Sequence, residues 1–493
     1  MLNHKLVISL VCSLVISLSV SAHPLNQDKK TDGVNWQSCL KYEFRGWFKN
    51  KAPQELLCGY VDAPLSYSEH IQTSNVRLAL TRLPARGVKK GSVVVVSGGP
   101  GLPGINPYVA NDKTIGRLRE YYDIIGYDPR GVGQSDPRIS CDLPEHDKQP
   151  EFDESDKVSY EADVLKIITA CINQTGAQVV QHIGTYEAVN DLNTIRAALG
   201  EPGLTAVAYS YGTQVAALFA ERFPKQTRAL VLDGVVDLSE DDYSQQLNQA
   251  LGYQQTFQRF AAYCGNVHNC PLPSDEVEAV EKFRRILLDI HQKPLTTKSG
   301  RIITADDVLK STELLLLWSE YWPDLATFLR KASLRDADEK MADMISENFG
   351  SESENALNVI SCADIAMPDA DRRVLRRQRT AINAAAPFRN VFAVPESPLA
   401  VCDMWPYRGK IKAHIPTPSP LLPPLLFVSQ RHDPTTPYAN ALRMAKWFRS
   451  PVVTREGDGH TLALSGIDRC VDEAVVSYLL APLRAAHEKN CRP

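Results

Sequence analysis

The chain has 493 residues, of which 44% are hydrophobic and 23% charged, and its formal net charge is -4. This length suits one large domain with an insertion and is ample for a buried core. Ordinary composition, no low-complexity tract, and Lys and Arg residues scattered along the chain exclude a disordered protein and a polyanion binder, so no nucleic-acid partner is expected.

Lys5 precedes an apolar run from Leu6 to Val20, and Val20, Ser21 and Ala22 supply small residues at cleavage-site spacing. The pattern predicts a signal peptide over residues 1–22 and a mature chain beginning at His23. The apolar run is shorter than the roughly 20 residues that span a bilayer. A secreted or periplasmic protein with no stable membrane association after cleavage is therefore expected. Cys12 leaves with the leader. The remaining ten cysteines (Cys39, Cys58, Cys141, Cys171, Cys264, Cys270, Cys362, Cys402, Cys470 and Cys491) are an even number in an exported chain, which predicts disulfides. Nearest neighbours in order, giving five bridges, is the expected pairing among the many that spacing allows. No CxxC or HExxH spacing occurs, so no metal is expected.

Residues 23–40 read as polar and irregular. Val76 to Leu83 and Ser92 to Ser97 read as strands, the second closed by Gly98, Gly99, Pro100 and Gly101. Tyr122 to Tyr127 is another, ending at Asp128. Leu204 to Tyr209 leads through Ser210 into a helix over Gln214 to Arg222 that Pro224 closes. Leu230 to Asp233 and Leu425 to Ser429 complete the set, and a last helix is expected over Val471 to Leu480. Strands that end in tight turns and alternate with helices predict an α/β fold with a mostly parallel sheet and helices on both faces. From Leu238 the pattern changes to helical spacing over Leu251–Tyr263, Val277–Ile290 and Leu314–Leu329. The expected division is residues 23–237 as the first part of an α/β core, 238–400 as a helical cap insertion and 401–493 as the C-terminal part of the core.

Ala208, Tyr209, Ser210, Tyr211 and Gly212 lie between a strand and a helix, the setting in which a sharp turn lifts a serine Oγ above a sheet edge. The usual G-x-S-x-G pattern has Ala208 in place of its first glycine. A serine hydroxyl needs a base to take its proton and an acid to orient that base, in the order Ser, acid, His for this fold. His460, in the glycine-flanked loop Gly457 to Thr461, is the expected base, and Asp433, just past the strand Leu425–Ser429, the expected acid. Asp233 competes for the acid's role, while His432 is expected to be structural or at the pocket rim. Attack on a carbonyl leaves an oxyanion that needs two preset donors. The N–H groups of Tyr211 and Gly99 are the expected pair. Asp128, Arg130 and Ser135 are expected to brace the neighbouring loop. Such a triad supplies nucleophile, base and electrostatics unaided, so no cofactor is expected.

These stretches together resemble the exported tripeptidyl aminopeptidase and proline iminopeptidase family of α/β-hydrolases over most of the mature chain. The matches are Gly98 to Gly101, Asp128 to Ser135, Tyr209 to Thr213, Phe223-Pro224, Leu232 to Val236, Asp433 to Pro437 and Gly459-His460. Cys362 to Asp364 and Cys402 to Pro406 resemble the exported, tripeptidyl-type branch, in which such cysteines bridge cap to core. The resemblance implies a peptide substrate and release of di- or tripeptide units from a free amino end that the cap admits. Ser97 stands where proline-specific members commonly carry His, so proline specificity is not implied. An ammonium leaving water needs a countercharge. Glu320, Asp324 and Asp364 are the candidates for that anchor. The alternative is an esterase or lipase-like hydrolase of small acyl compounds, because chemistry does not follow from fold.

Overall fold

The computed structural model describes residues 33–41, 53–68, 75–105, 112–143, 156–348, 351–391, 394 and 396–492. The expected leader at residues 1–22 falls outside them. Short apolar runs bounded by glycine and turn residues form one ten-stranded sheet. Its strands are β1 (Gln37–Ser38), β2 (Leu57–Pro64), β3 (Asn75–Leu83), β4 (Gly91–Val96), β5 (Tyr122–Tyr127), β6 (Leu204–Tyr209) and β7 (Thr227–Asp233), followed by β10 (Leu426–His432), β11 (Val452–Asp458) and β12 (Lys489–Cys491). A separate two-stranded ribbon pairs β8 (Leu295–Thr296) with β9 (Ile302–Ile303). The large sheet runs β1-β2-β3-β5-β4-β6-β7-β10-β11-β12. Pairing is antiparallel from β1 to β5 and parallel from there to β12.

Alternate residues of the central strands feed two cores, as the period-2 geometry of a strand requires. Ala206, Ala208, Leu230, Leu232 and Phe427 enter one, with residues 188–199, 215–220 and 441–448. Val207, Ala229, Val231, Leu426 and Val428 enter the other, with Ile115, Leu118 and residues 471–479. The flanking helices are α1 (Asp112–Arg119), α2 (Lys157–Thr175), α3 (Ala177–Val180), α4 (Thr185–Ala198) and α5 (Tyr211–Arg222).

Between β7 and β10 the chain builds α6 (Asp242–Cys264), α7 (Glu276–Gln292), α8 (Ala305–Leu316), α9 (Trp322–Ser333), α10 (Glu339–Asn348), α11 (Ser351–Ile365), α12 (Arg372–Ala385) and α13 (Val401–Met404). Helices α6 to α10 and the end of α12 share a core of their own around Phe257, Phe283, Leu329 and Phe388. We refer to this block as the cap. Helix α11 instead shares a cluster with α2, through Val359, Ile360 and Cys362 against Val164, Ile167 and Cys171. The chain closes with α14 (Tyr438–Phe448), α15 (Arg469–Leu480) and α16 (Pro482–Ala485).

The single helix expected over Leu314–Leu329 is two. Trp318 takes an extended conformation (φ -139, ψ 126), and Pro323, which has no N–H to give, sits in the first turn of α9. Five disulfides join Cys39–Cys58, Cys141–Cys171, Cys264–Cys270, Cys362–Cys402 and Cys470–Cys491, the nearest-neighbour order. Among the described residues no helix is long and apolar enough to cross a membrane.

Candidate active site

β6 ends at Tyr209 and α5 begins at Tyr211, so Ser210 alone makes the turn, with φ 53 and ψ -123. A serine holds positive φ only where its surroundings impose it. Here Ser210 N donates to Asp233 O on the neighbouring strand at 2.9 Å, and Thr213 N and Oγ1 donate to Ser210 O at 2.8 and 2.6 Å. Gly212 is required by close approach, since a Cβ there would stand 2.6 Å from Ser97 O. Ala208 is fully buried in the core. The methyl group that departs from the usual glycine therefore has a packed place.

Asp433 stands in the loop after β10. Its Oδ1 accepts the N–H groups of Thr435 and Thr436, both at 2.9 Å, and its Oδ2 accepts Thr436 Oγ1 at 3.0 Å. Both oxygens face His460 Nδ1, at 3.0 and 2.9 Å. A carboxylate can only accept, so the Nδ1 atom carries the proton and Nε2 is left as an acceptor. Burial works to lower the pKa of His460, and the charge and hydrogen bond of Asp433 outweigh it and raise it. The parallel pairing of β6, β7, β10 and β11 brings Ser210, Asp433 and His460 to the same sheet end. The ring lies against Gly234, where a Cβ would meet His460 Cε1 at 2.8 Å.

Asp233, the expected competitor, does another task. Its Oδ2 accepts the N–H groups of Leu462 and Ala463, both at 2.6 Å, bracing the loop that carries His460. Burial pushes its pKa up to about 7, against the pull of those two amides. Asp128, Arg130 and Ser135 brace as expected. Asp128 accepts Ile105 N and Gln134 N at 2.9 and 2.8 Å, Ser135 Oγ donates to Asp128 O at 2.7 Å, and Arg130 pairs with buried Asp191. His432 is exposed beside Asp458 in the β10–β11 register.

A cavity of about 180 Å³ opens at Ser210, with Gly99, Pro100 and Tyr211 also in its wall. Asp364 of α11 lines it, although both its oxygens are engaged. Its Oδ1 accepts Thr185 N at 2.7 Å and its Oδ2 accepts Thr185 Oγ1 at 2.6 Å, while Tyr211 OH lies 3.5 Å from Oδ2. Burial pushes the Asp364 carboxyl up to about 7, with the Thr185 bonds opposing. The other two anchor candidates lie elsewhere. Glu320 pairs with Arg455 at 3.2 Å between α8 and α9, and Asp324 lines a separate cap cavity with Trp318, Phe328 and Met341. Two carboxylates missed in the sequence line the same cavity as Ser210, Glu240 and Asp242, with Gln245, Gln246 and Gln249 of α6. Glu240 Oε1 receives Asn248 and Arg443, while its Oε2 is buried with no partner among the described residues. The available signal was position, because a loop at the carboxyl end of a central strand is where α/β sheets bind ligands.

The residues 91–466 match the model of the alpha/beta hydrolase fold family. The chain belongs to this family. As an α/β-hydrolase it is 45% identical to YuaR of Escherichia coli (strain K12) over 460 residues, covering 91% of each chain. Over 452 residues it is 33% identical to serine protease Hip1 of Mycobacterium tuberculosis (strain ATCC 25618 / H37Rv), covering 87% of this chain and 86% of that one. Two more distant relatives carry different names. Carboxylesterase B of the same strain is 28% identical over 458 residues (88% and 86% covered), and tripeptidyl aminopeptidase of Streptomyces lividans 27% over 485 (94% and 87%). As to metals, Asp468, Cys470 and Cys491 are the grouping with ligand-like spacing among the described residues, but the two cysteines are joined to each other.

Proposed function

We propose that this hydrolase is an exported serine aminopeptidase that releases short units from free peptide N-termini. The observation that carries the reading is the cavity wall at Ser210. It holds three carboxylates, Glu240, Asp242 and Asp364, and no Lys, Arg or His among its described residues. Asp364 is held by Thr185 and Glu240 Oε1 by Arg443, which leaves Asp242 and the buried, unpartnered Glu240 Oε2 to receive a substrate ammonium. Burial raises the pKa of both Glu240 and Asp242, and an arriving cation would favour their ionised forms.

In this reading Ser210 Oγ attacks the scissile carbonyl carbon while His460 Nε2 takes its proton, with Asp433 holding the imidazolium that forms. The N–H groups of Tyr211 and Gly99 receive the oxyanion. Collapse of the tetrahedral adduct expels the amine, which takes the proton from His460, and water then releases the acyl group from Ser210 by the same steps reversed. Residues 23–237 with 401–493 act as the core and 238–400 as the cap, after removal of residues 1–22. Five disulfides support an oxidising compartment.

The esterase reading has the carboxylesterase relative in its favour. One comparison separates the two. The mature protein should cleave a tripeptide amide reporter with a free amine and spare its acetylated twin, with Ser210→Ala inert on both. Glu240→Gln should raise KM for the free-amine reporter about 10- to 100-fold, the worth of a hydrogen bond to a charged group. Equal turnover of both reporters, or turnover of a small ester alone, would sink the peptidase reading.

A further inference from the structure

The loop that carries His460 is clamped from two sides. On the core side, Asp233 holds the N–H groups of Leu462 and Ala463, and Tyr209 OH donates to Ala463 O at 2.8 Å. On the cap side, the extended break between α8 and α9 forms an antiparallel bridge, Trp318 to Gly459. His460 N donates to Leu317 O at 2.7 Å, Trp318 Nε1 to Thr461 O at 3.3 Å, and Ser319 Oγ to Asp458 O at 3.1 Å. Thr461, the residue after the histidine, has φ 57. A β-branched side chain rarely holds that conformation without outside restraint. The Trp318 indole binds the carbonyl of that same strained residue.

We propose that Trp318 is a positioning residue for His460: the cap, through this indole and its neighbours, holds the imidazole against Asp433, and a displaced cap segment withdraws it. The inference rests on His460 acting as base toward Ser210 and is independent of whether the substrate is a peptide or an ester. It makes the base conditional on the cap, so substrate contacts with the cap can act on the rate of chemistry as well as on affinity. The charged groups acting on the ring are Asp433 and Asp233, both from the core, while the Asp458–Arg259 pair and His432 flank the start of the loop.

The test uses the full mature chain, with a free-amine tripeptide anilide and p-nitrophenyl acetate as substrates. Trp318→Ala should lower kcat at least about tenfold on both, with KM within about threefold, because a misplaced base weakens the transition state and not the ground-state complex. The acid limb of kcat/KM should move to lower pH, since a ring farther from Asp433 holds its proton less tightly. Trp318→Phe, which keeps a ring and drops the N–H, should fall between. A merely structural role would lower the folded fraction, read by circular dichroism, and leave the limb in place. An unmoved limb, or a loss confined to KM on the peptide, would overturn the proposal. Should Trp318→Ala not fold, Ser319→Ala decides: a limb shift with about two- to fivefold lower kcat supports it, and a wild-type profile overturns it. If Ser210→Ala retains full activity, the proposed function fails by itself, a result that Trp318 variants cannot mimic.

Discussion

The insertion between β7 and β10 touches the core beside Ser210 and beside His460, and these two contacts are built differently. Beside Ser210, α11 is joined to α13 by Cys362–Cys402, shares an apolar cluster with α2, and sends Asp364 to the first N–H of α4 at 2.7 Å. Beside His460, the contact is a short backbone bridge, two side-chain hydrogen bonds and the Arg259–Asp458 and Arg455–Glu320 ion pairs. Apolar burial and a covalent link are insensitive to small displacements, whereas each hydrogen bond is worth only about 0.5 to 1.5 kcal/mol net and is lost with a shift of an ångström or so. The Ser210 side is thus built to stay, and the His460 side can let go.

The largest effect that can sharpen this contrast comes from Asp433, the partner of His460. Asp433→Asn should lower kcat by about 10⁴-fold in the reporter assay, because the amide no longer stabilises the imidazolium or fixes its tautomer. That figure is the ceiling for anything achieved by loosening the cap side. Asp233→Asn should cost no more than about tenfold, since an amide oxygen can still accept the two loop N–H groups. A larger loss from Asp233→Asn than from Asp433→Asn would mean that Asp233, not Asp433, orients the ring.

Next in size are the disulfides. Cys362–Cys402 closes a loop with sequence separation 40 and Cys264–Cys270 one with separation 6. Loop entropy assigns them about 4 and about 2 kcal/mol of stability respectively. Denaturant unfolding of the two double-alanine variants should show that order. The reverse order would remove the first attachment's claim to permanence.

The smallest effect is a slope. The Asp364 carboxyl, pushed up to about 7, keeps its proton in the folded chain at pH values where an unfolded aspartate, with its ordinary value of 3.8, has released it. Folded protein therefore binds more protons than unfolded between about pH 4 and pH 7, and stability falls as pH rises through that window. Asp364→Asn should flatten this fall in melting temperature. Asp233, pushed up to about 7, and Asp128 and Asp472, each pushed up to about 6, contribute to the slope that remains.

The parts of this architecture legible in the sequence are those that one local segment specifies. A strand, a serine and a helix in succession announce the turn at Ser210, and a glycine-flanked histidine marks the loop at His460. Cysteine order sufficed for the bridges because sequence separations from 6 to 40 favour neighbours. What stayed hidden depends on segments far apart in the chain. Apolar spacing over Leu314–Leu329 reads as one helix, and only the partner strand at Gly459 explains why Trp318 is extended. Glu240 and Asp242 reach Ser210 because the chain leaves β7 at the same sheet end, whereas Glu320 and Asp324, chosen for lying in the cap, are carried away with α9.

The two outer strands carry a last consequence. β1 is two residues long and β12 three, and each lies next to or contains a bridged cysteine: Cys39 follows β1, and Cys491 ends β12. Open sheet edges invite other chains to add on, and shortness is one way proteins discourage it. Here the borders are also tacked down by oxidation. Produced in a reducing cytosol, the chain would lose both tacks at once and expose β2 and β11 as templates, so insolubility there and solubility after oxidative export would have a single cause at the rim of the sheet.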